Sequence, residues 1–227
     1  MHASAGVPLT VERILEPELM EGDAEAAAYA RADFSDSNSA FVHHFIDEFP
    51  AHLGHVVDLG CGPAEIPIRL ARAARRVRIT AVDGSATMLK LAREAVHAAE
   101  VQERIVLCQG RIPGLPLPEQ HFDAVLCKDM LHHLPDPQAL WGEARRLAKP
   151  GAAVFVMDLV RPSSPVIARD IVERVAGRED PLLKQDFFNS LCAAFTVEEV
   201  RAQLRAAALP LAVAQTSDRH MRIHGRI

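Results

Sequence analysis

The sequence predicts an α/β fold built on a mostly parallel sheet, on three observations. Apolar runs rich in valine and isoleucine recur along the chain, and two of them stop at a carboxylate, Asp58 and Asp83. Stretches of helical spacing alternate with these runs. The turn Gly60-Cys61-Gly62 stands where the first run gives way to a helical pattern, and its glycines allow backbone angles that a side chain forbids. Alternation of this kind specifies parallel strands joined by right-handed crossovers.

Residues 1–8 have a loop composition. From Val11 to about Phe49 the pattern is helical in pieces: VERILEPEL, DAEAAAYARADF, and SNSAFVHHFIDEF with Ser37 as its N-cap. This preface, residues 1–50, is expected to form a helical lid, with Phe41, Phe45 and Ile46 packed on the sheet. Tyr29, His43 and His44 would then face core, solvent or a ligand. The first strand lies within residues 55–59, and a helix follows from Pro63, a residue tolerated near a helix start. VRITAVDGS gives the second strand, and Ser85 caps the helix ATMLKLAREAVHAAE. RIVLCQG is the third strand and FDAVLCKD the fourth, whose exit carries His132 and His133. A helix near DPQALWGEARRLA, a turn at Lys149-Pro150-Gly151 and a fifth strand AAVFVMDLV come next. Two helices then form an insertion over residues 161–195. A helix capped by Thr196 and an antiparallel hairpin, LAVAQTSD with HMRIHGRI, complete a domain spanning residues 51–227.

The totals exclude several classes. The net charge is −5, from 25 Lys and Arg against 30 Asp and Glu, which gives no basic footprint for nucleic acid. Cys61, Cys108, Cys127 and Cys192 have no zinc spacing and read as reduced, mostly buried thiols. With no signal-peptide pattern and no long apolar run, the expectation is a cytoplasmic protein without a membrane partner, monomeric or dimeric. The glycine turn lacks the G-x-G-x-x-G spacing of a pyrophosphate site, because the third residue after Gly62 is Glu65. Asp83 lies 25 residues beyond Asp58, near the separation at which a carboxylate on the second strand accepts both hydroxyls of a ribose.

With these motifs in register, the chain resembles the class I S-adenosylmethionine-dependent methyltransferases over nearly its whole length. VVDLGCGPA resembles the first motif, TAVDGSATMLKLA the second, and HFDAVLCKDMLHHLPD with KPGA the fourth and its sequel. The flavour is that of ubiquinone and menaquinone biosynthesis methyltransferases. The resemblance implies a Rossmann-like sheet of seven strands and S-adenosylmethionine as cofactor. It implies that Asp58, Gly60, Cys61 and Gly62 accommodate the methionine portion. Asp83 and Gly84 would hold the ribose, Met88, Arg111 and Ile112 the adenine, and Lys128 would lie beneath the sulfonium. Three residues depart from the family's pattern: Ala64 replaces a common glycine, Arg111 a common aspartate, and Lys128 a small or amide residue.

The implied reaction is methyl transfer to a small-molecule acceptor at O, N, S or C. It is an in-line displacement, to which the protein contributes mainly alignment. His133 and His132 are the candidate bases, because histidine titrates near neutrality. Tyr29, His43, Asp129 and Phe187 are candidate acceptor contacts. No metal is expected, since adjacent histidines on a helix diverge and H-E-x-x-H is absent. No Asn-Pro-Pro-Tyr follows the fourth strand, which argues against amide or nucleobase-amine targets. The alternative reading is a catalytically weak methyltransferase-like module that binds the cofactor or a protein partner.

Overall fold

The computed structural model describes residues 12–16 and 34–227. Its centre is a seven-stranded sheet, formed by β1 (His55–Leu59), β2 (Arg78–Asp83), β3 (Ile105–Gln109), β4 (Phe122–Lys128), β5 (Ala148–Leu159), β6 (Ala212–Gln215) and β7 (His220–Arg226). The strand order is β3-β2-β1-β4-β5-β7-β6. The first five strands run parallel. β7 lies antiparallel between β5 and β6, so the predicted hairpin is present.

Among the described residues seven α-helices accompany the sheet: α1 (Ser35–Glu48), α2 (Glu65–Ala73), α3 (Ala86–Ala98), α4 (Gln138–Leu147), α5 (Pro165–Ala176), α6 (Pro181–Ala193) and α7 (Val197–Ala206). The strands read as unbroken apolar runs because both faces of the sheet are covered. Val56, Ala124 and Phe155 face a core shared with α1, α2 and α3. Their neighbours Val57, Val125 and Val154 face the opposite core with α4 and α7, around the buried Trp141. The Trp141 indole donates to Gln203 Oε1 at 3.1 Å, which satisfies its polar atom inside that core.

Sequence caps explain several boundaries. Ser85 accepts from Met88 N at the start of α3, and Thr196 and Glu199 form a reciprocal capping box at α7. Two local expectations need correction. Lys149-Pro150-Gly151 is not a turn ahead of the fifth strand; it lies within β5, where the pairing with β4 shifts register and Gly151 has φ +79°. The helical reading of VERILEPEL fails over Glu12–Glu16, which form an irregular strap. Glu16 precedes Pro17, and proline disfavours helical angles in the residue before it.

The strap is tied down by its own polar groups. Arg13 donates to the carbonyls of Ala193, His132 and Leu134 and stacks on Phe195, while Ile14 N donates to Cys192 O. Helix α1 begins at Ser35 after Phe34, two residues before the expected cap Ser37. Phe41 and Phe45 pack on Phe155 with ring centroids 5.0 and 5.8 Å apart, which makes α1 a layer of the core. Among the described residues no helix is long and apolar enough to cross a membrane.

Candidate functional site

A cavity of about 440 Å³ opens at the carboxyl ends of β1, β2 and β4. This is where ligands enter parallel sheets, because strand ends and helix starts expose unpaired backbone there. Gly60 and Gly62 line it from the β1 turn, with φ of +76° and +50°. A Cβ on Gly60 would stand 2.6 Å from Met130 Cγ, whereas one on Gly62 would meet no atom within 4 Å. Gly60 therefore serves packing, and Gly62 presents bare backbone to the cavity. Ala64, the departure from the family's glycine, takes left-handed angles with φ +66°, at a cost of about 1 kcal/mol.

The two glycines should respond differently to substitution. Gly60→Ala is expected to lower stability by about 1–3 kcal/mol, through strain and the displacement of Met130. Gly62→Ala should cost about 1 kcal/mol in stability yet abolish binding of any ligand that lies against that turn. Thermal melts and S-adenosylhomocysteine titrations of both variants check this; equal effects on both readouts would contradict it.

Asp83 ends β2 with both carboxylate oxygens engaged. Oδ2 accepts from Gly62 N and Oδ1 from Ser85 N, each at 2.8 Å. Its carboxylate thus braces the glycine turn, and each oxygen keeps acceptor capacity for a hydroxyl. Gly84 and Met88 line the cavity beside it. Asp58 lies just before them in β1, 2% exposed, and its Oδ2 has no hydrogen-bond partner among the described residues. Burial, reinforced by the charge of Asp83 and opposed by Lys128, pushes the Asp58 carboxyl up to about 7.

Arg111 and Ile112 line the adjoining wall, with Arg111 exposed. Lys128 turns its ammonium to Asp129. Burial alone would raise the Asp129 carboxyl, but Lys128 beside it holds it below its ordinary value.

At the far end stand His132 and His133, in a short 3-10 turn after β4, with ring centroids 4.2 Å apart. His132 is 2% exposed, and its Nδ1 lies 2.7 Å from Asp158 Oδ1. Burial disfavours its charged form, yet Asp158 and Glu16 raise its pKa above the ordinary value. Glu16 Oε1 lies 3.4 Å from His132 Nε2 and 3.2 Å from His133 Nδ1. Asp186, Phe187 and Ser190 of α6 complete this end, and Phe187 also packs on the small core between α5 and α6.

The cavity thus gathers Gly60, Gly62, Asp83, Gly84, Met88, Arg111, Ile112, Lys128, Asp129, His132, His133 and Phe187. Asp58 and Cys61 stand behind its surface. Burial raises the Cys61 thiol's pKa, and its Sγ turns to Gly62 O. His43 is a correction: α1 buries Asn38, Phe41, Val42 and Phe45, which leaves His43 on the exposed face with no part in the cavity. Tyr29 lies outside the described residues. Sequence reasoning missed Glu16 and Asp158. The signal for Asp158 was a lone carboxylate inside the apolar run AAVFVMDLV.

A parallel sheet with a glycine turn, a second-strand carboxylate and a cavity at its carboxyl edge defines a Rossmann-like ligand-binding protein. Residues 57–156 match the family model described as a methyltransferase domain. Over those residues, a little under half of its length, the chain is similar to methyltransferase domains. It is 29% identical over 154 residues to a 27-O-demethylrifamycin SV methyltransferase of Amycolatopsis mediterranei, covering 68% of this chain and 53% of that one. With a demethylmenaquinone methyltransferase of Lactiplantibacillus plantarum it shares 35% identity over 114 residues, 50% of this chain and 48% of the relative. The chain thus spans about half the length of these curated relatives. A crystal structure of a SAM-dependent methyltransferase from Aquifex aeolicus superposes with a TM-score of 0.69 at 18% identity, covering 91% and 98% of the two chains, and shares the fold.

Proposed function

We propose that the protein transfers a methyl group from S-adenosylmethionine to a small-molecule acceptor. The observation that carries this is the pairing of a buried Asp58 Oδ2, without a hydrogen-bond partner among the described residues, with the open backbone of Gly62 and the braced carboxylate of Asp83. Such a set fits a ligand with an ammonium group and a ribose: an acceptor-only buried carboxyl for the cation, and two further acceptor oxygens for vicinal hydroxyls. When bound, the cofactor supplies an electrophilic methyl on a sulfonium.

The chain's own residues supply alignment and exclusion of water. Asp83 holds the ribose and the turn together, so cofactor position and turn geometry are set by one carboxylate. Met88 and Ile112 flank the adenine, and Arg111 stays exposed, leaving backbone atoms for the adenine amino edge. Lys128, neutralised by Asp129, keeps its charge from the sulfonium. The acceptor enters beside Phe187, Asp186 and Ser190, and its nucleophilic atom meets the Glu16, His132 and His133 cluster, which handles the proton lost on methylation. The rifamycin relative's printed name places its methyl on oxygen, and a hydroxyl nucleophile suits this cluster.

The test is incubation with isotopically labelled S-adenosylmethionine and a panel of phenolic and alcoholic acceptors, followed by mass spectrometry. Label transferred to an acceptor, with S-adenosylhomocysteine formed in equal amount, is the expected result. Tight cofactor binding with no acceptor-dependent turnover would favour the weak-module reading.

The Asp58 carboxyl gives a pH prediction. With its pKa at about 7 it is largely protonated in mildly acidic solution. An ammonium bound nearby favours the ionised form, so binding releases a proton below that pKa. S-adenosylhomocysteine affinity should therefore fall as pH drops through about 7, by at most about tenfold per unit for one linked proton. Asp58→Asn should flatten the profile. Calorimetric titration at several pH values checks this, and a pH-independent affinity in the wild type would contradict it.

A further inference from the structure

We propose that Glu16, His132 and His133 form a binding site for one zinc-class divalent transition-metal ion, placed at the acceptor end of the cavity. One ligand atom from each of the three residues lies within 4.8 Å of the other two. The two Glu16 to histidine separations, 3.4 and 3.2 Å, match the edge of a tetrahedron with metal–ligand bonds of about 2.1 Å, which is about 3.4 Å. Glu16 Oε1 is buried and forms no hydrogen bond among the described residues despite standing this close to two imidazoles. Aim at a shared point between the three groups accounts for that.

The surroundings are those of a built site. His132 Nδ1 is held by Asp158 Oδ1 at 2.7 Å, and Asp158 also accepts from Leu131 N and Leu159 N. A proton fixed on Nδ1 leaves the Nε2 lone pair directed at Glu16, the outer-shell arrangement that orients a metal-binding histidine. The other Glu16 oxygen accepts from Ser190 Oγ, and Arg13 anchors the strap that carries Glu16 through three carbonyls. Asp158 stands 2.7 Å from His132 and Asp186 lines the same cavity, so a dication placed here has the carboxylates of Glu16, Asp158 and Asp186 around it. Two nitrogens and one carboxylate oxygen suit zinc or cobalt better than magnesium or calcium, which prefer all-oxygen shells.

Both histidines line the cavity, so the remaining coordination position faces the acceptor. Three protein ligands with one open position are the arrangement of zinc sites that act on a bound oxygen. An acceptor hydroxyl coordinated there would give up its proton more readily, to water and not to the three ligand residues, and be held in place for attack. The 3-10 turn is what makes this possible: it brings both imidazoles to one side, against the expectation that adjacent histidines diverge and that no metal is held.

The experiment uses the full chain stripped of metal by chelator and titrated with cobalt, with zinc as competitor. It does not depend on the methyl-transfer reading, because metal binding is read without cofactor or acceptor. One equivalent of cobalt, with the visible bands of a four-coordinate N/O site lost on zinc addition, is expected. Asp158→Asn should weaken zinc about 10- to 100-fold, and Glu16→Gln should weaken it further. Metal-free melting curves establish that the variants fold. A second readout needs no variant: zinc should shift the ring-nitrogen resonances of His132 and His133 in the wild type. Zinc taken up with those two resonances unmoved, or held equally by a folded Glu16→Gln protein, overturns the proposal.

Discussion

Asp83→Ala is expected to weaken S-adenosylmethionine and S-adenosylhomocysteine by about 1.5–3 kcal/mol, roughly 10- to 150-fold. Two losses combine in that number. The variant removes the acceptor oxygens proposed for the ribose hydroxyls, and it frees Gly62 N and Ser85 N, which Asp83 now binds at 2.8 Å each. Asp83→Asn separates them. Its amide oxygen can still accept one backbone N–H, so the turn should be partly retained while one acceptor becomes a donor. The asparagine variant should therefore melt closer to wild type than the alanine variant and still bind weakly. Calorimetric titration with melting curves checks both, and unchanged affinity in Asp83→Ala would remove the ribose assignment.

His133→Ala should slow turnover about 100-fold or more, the usual contribution of a group that handles a proton, with cofactor affinity unchanged. The reason is position: His133 lines the acceptor end beside Glu16, whereas Asp83 and Gly62 line the other. A metal-ligand role and a base role both predict the lower kcat, and cobalt binding tells them apart. Steady-state rates together with S-adenosylhomocysteine titration are the measurement. An unchanged kcat would mean that the acceptor's nucleophilic atom lies elsewhere in the cavity.

How much of this could be read from the sequence depends on how local each feature is. The β1 turn, Asp83 and the Ser85 cap are strand-turn-helix features within a few residues, and the structure forms them where the pattern puts them. Both-sided burial explains why the central strands stood out as unbroken apolar runs. His43 was misread as an acceptor contact, although Phe41 and Phe45 mark the buried face of α1 and position 43 falls off it. Glu16 was not legible. It reaches His132 across more than half the chain, in a strap whose irregular form depends on Arg13 binding carbonyls of Ala193, His132 and Leu134. No local pattern encodes such contacts, and the apparent helical spacing around Glu16 pointed the wrong way. Lys128 is intermediate: its charge next to Asp129 was visible, while the distance between that pair and Asp58 depended on how β1 and β4 align.

The central claim is that the glycine turn, Asp58 and Asp83 hold S-adenosylmethionine, and titration calorimetry of the purified protein tests it most directly. S-adenosylmethionine, S-adenosylhomocysteine and NADH are titrated in parallel. Micromolar binding of the first two and none of the third is the predicted result. Failure to bind either sulfur ligand would contradict the account and mean that Arg111 and Lys128 have disabled the site.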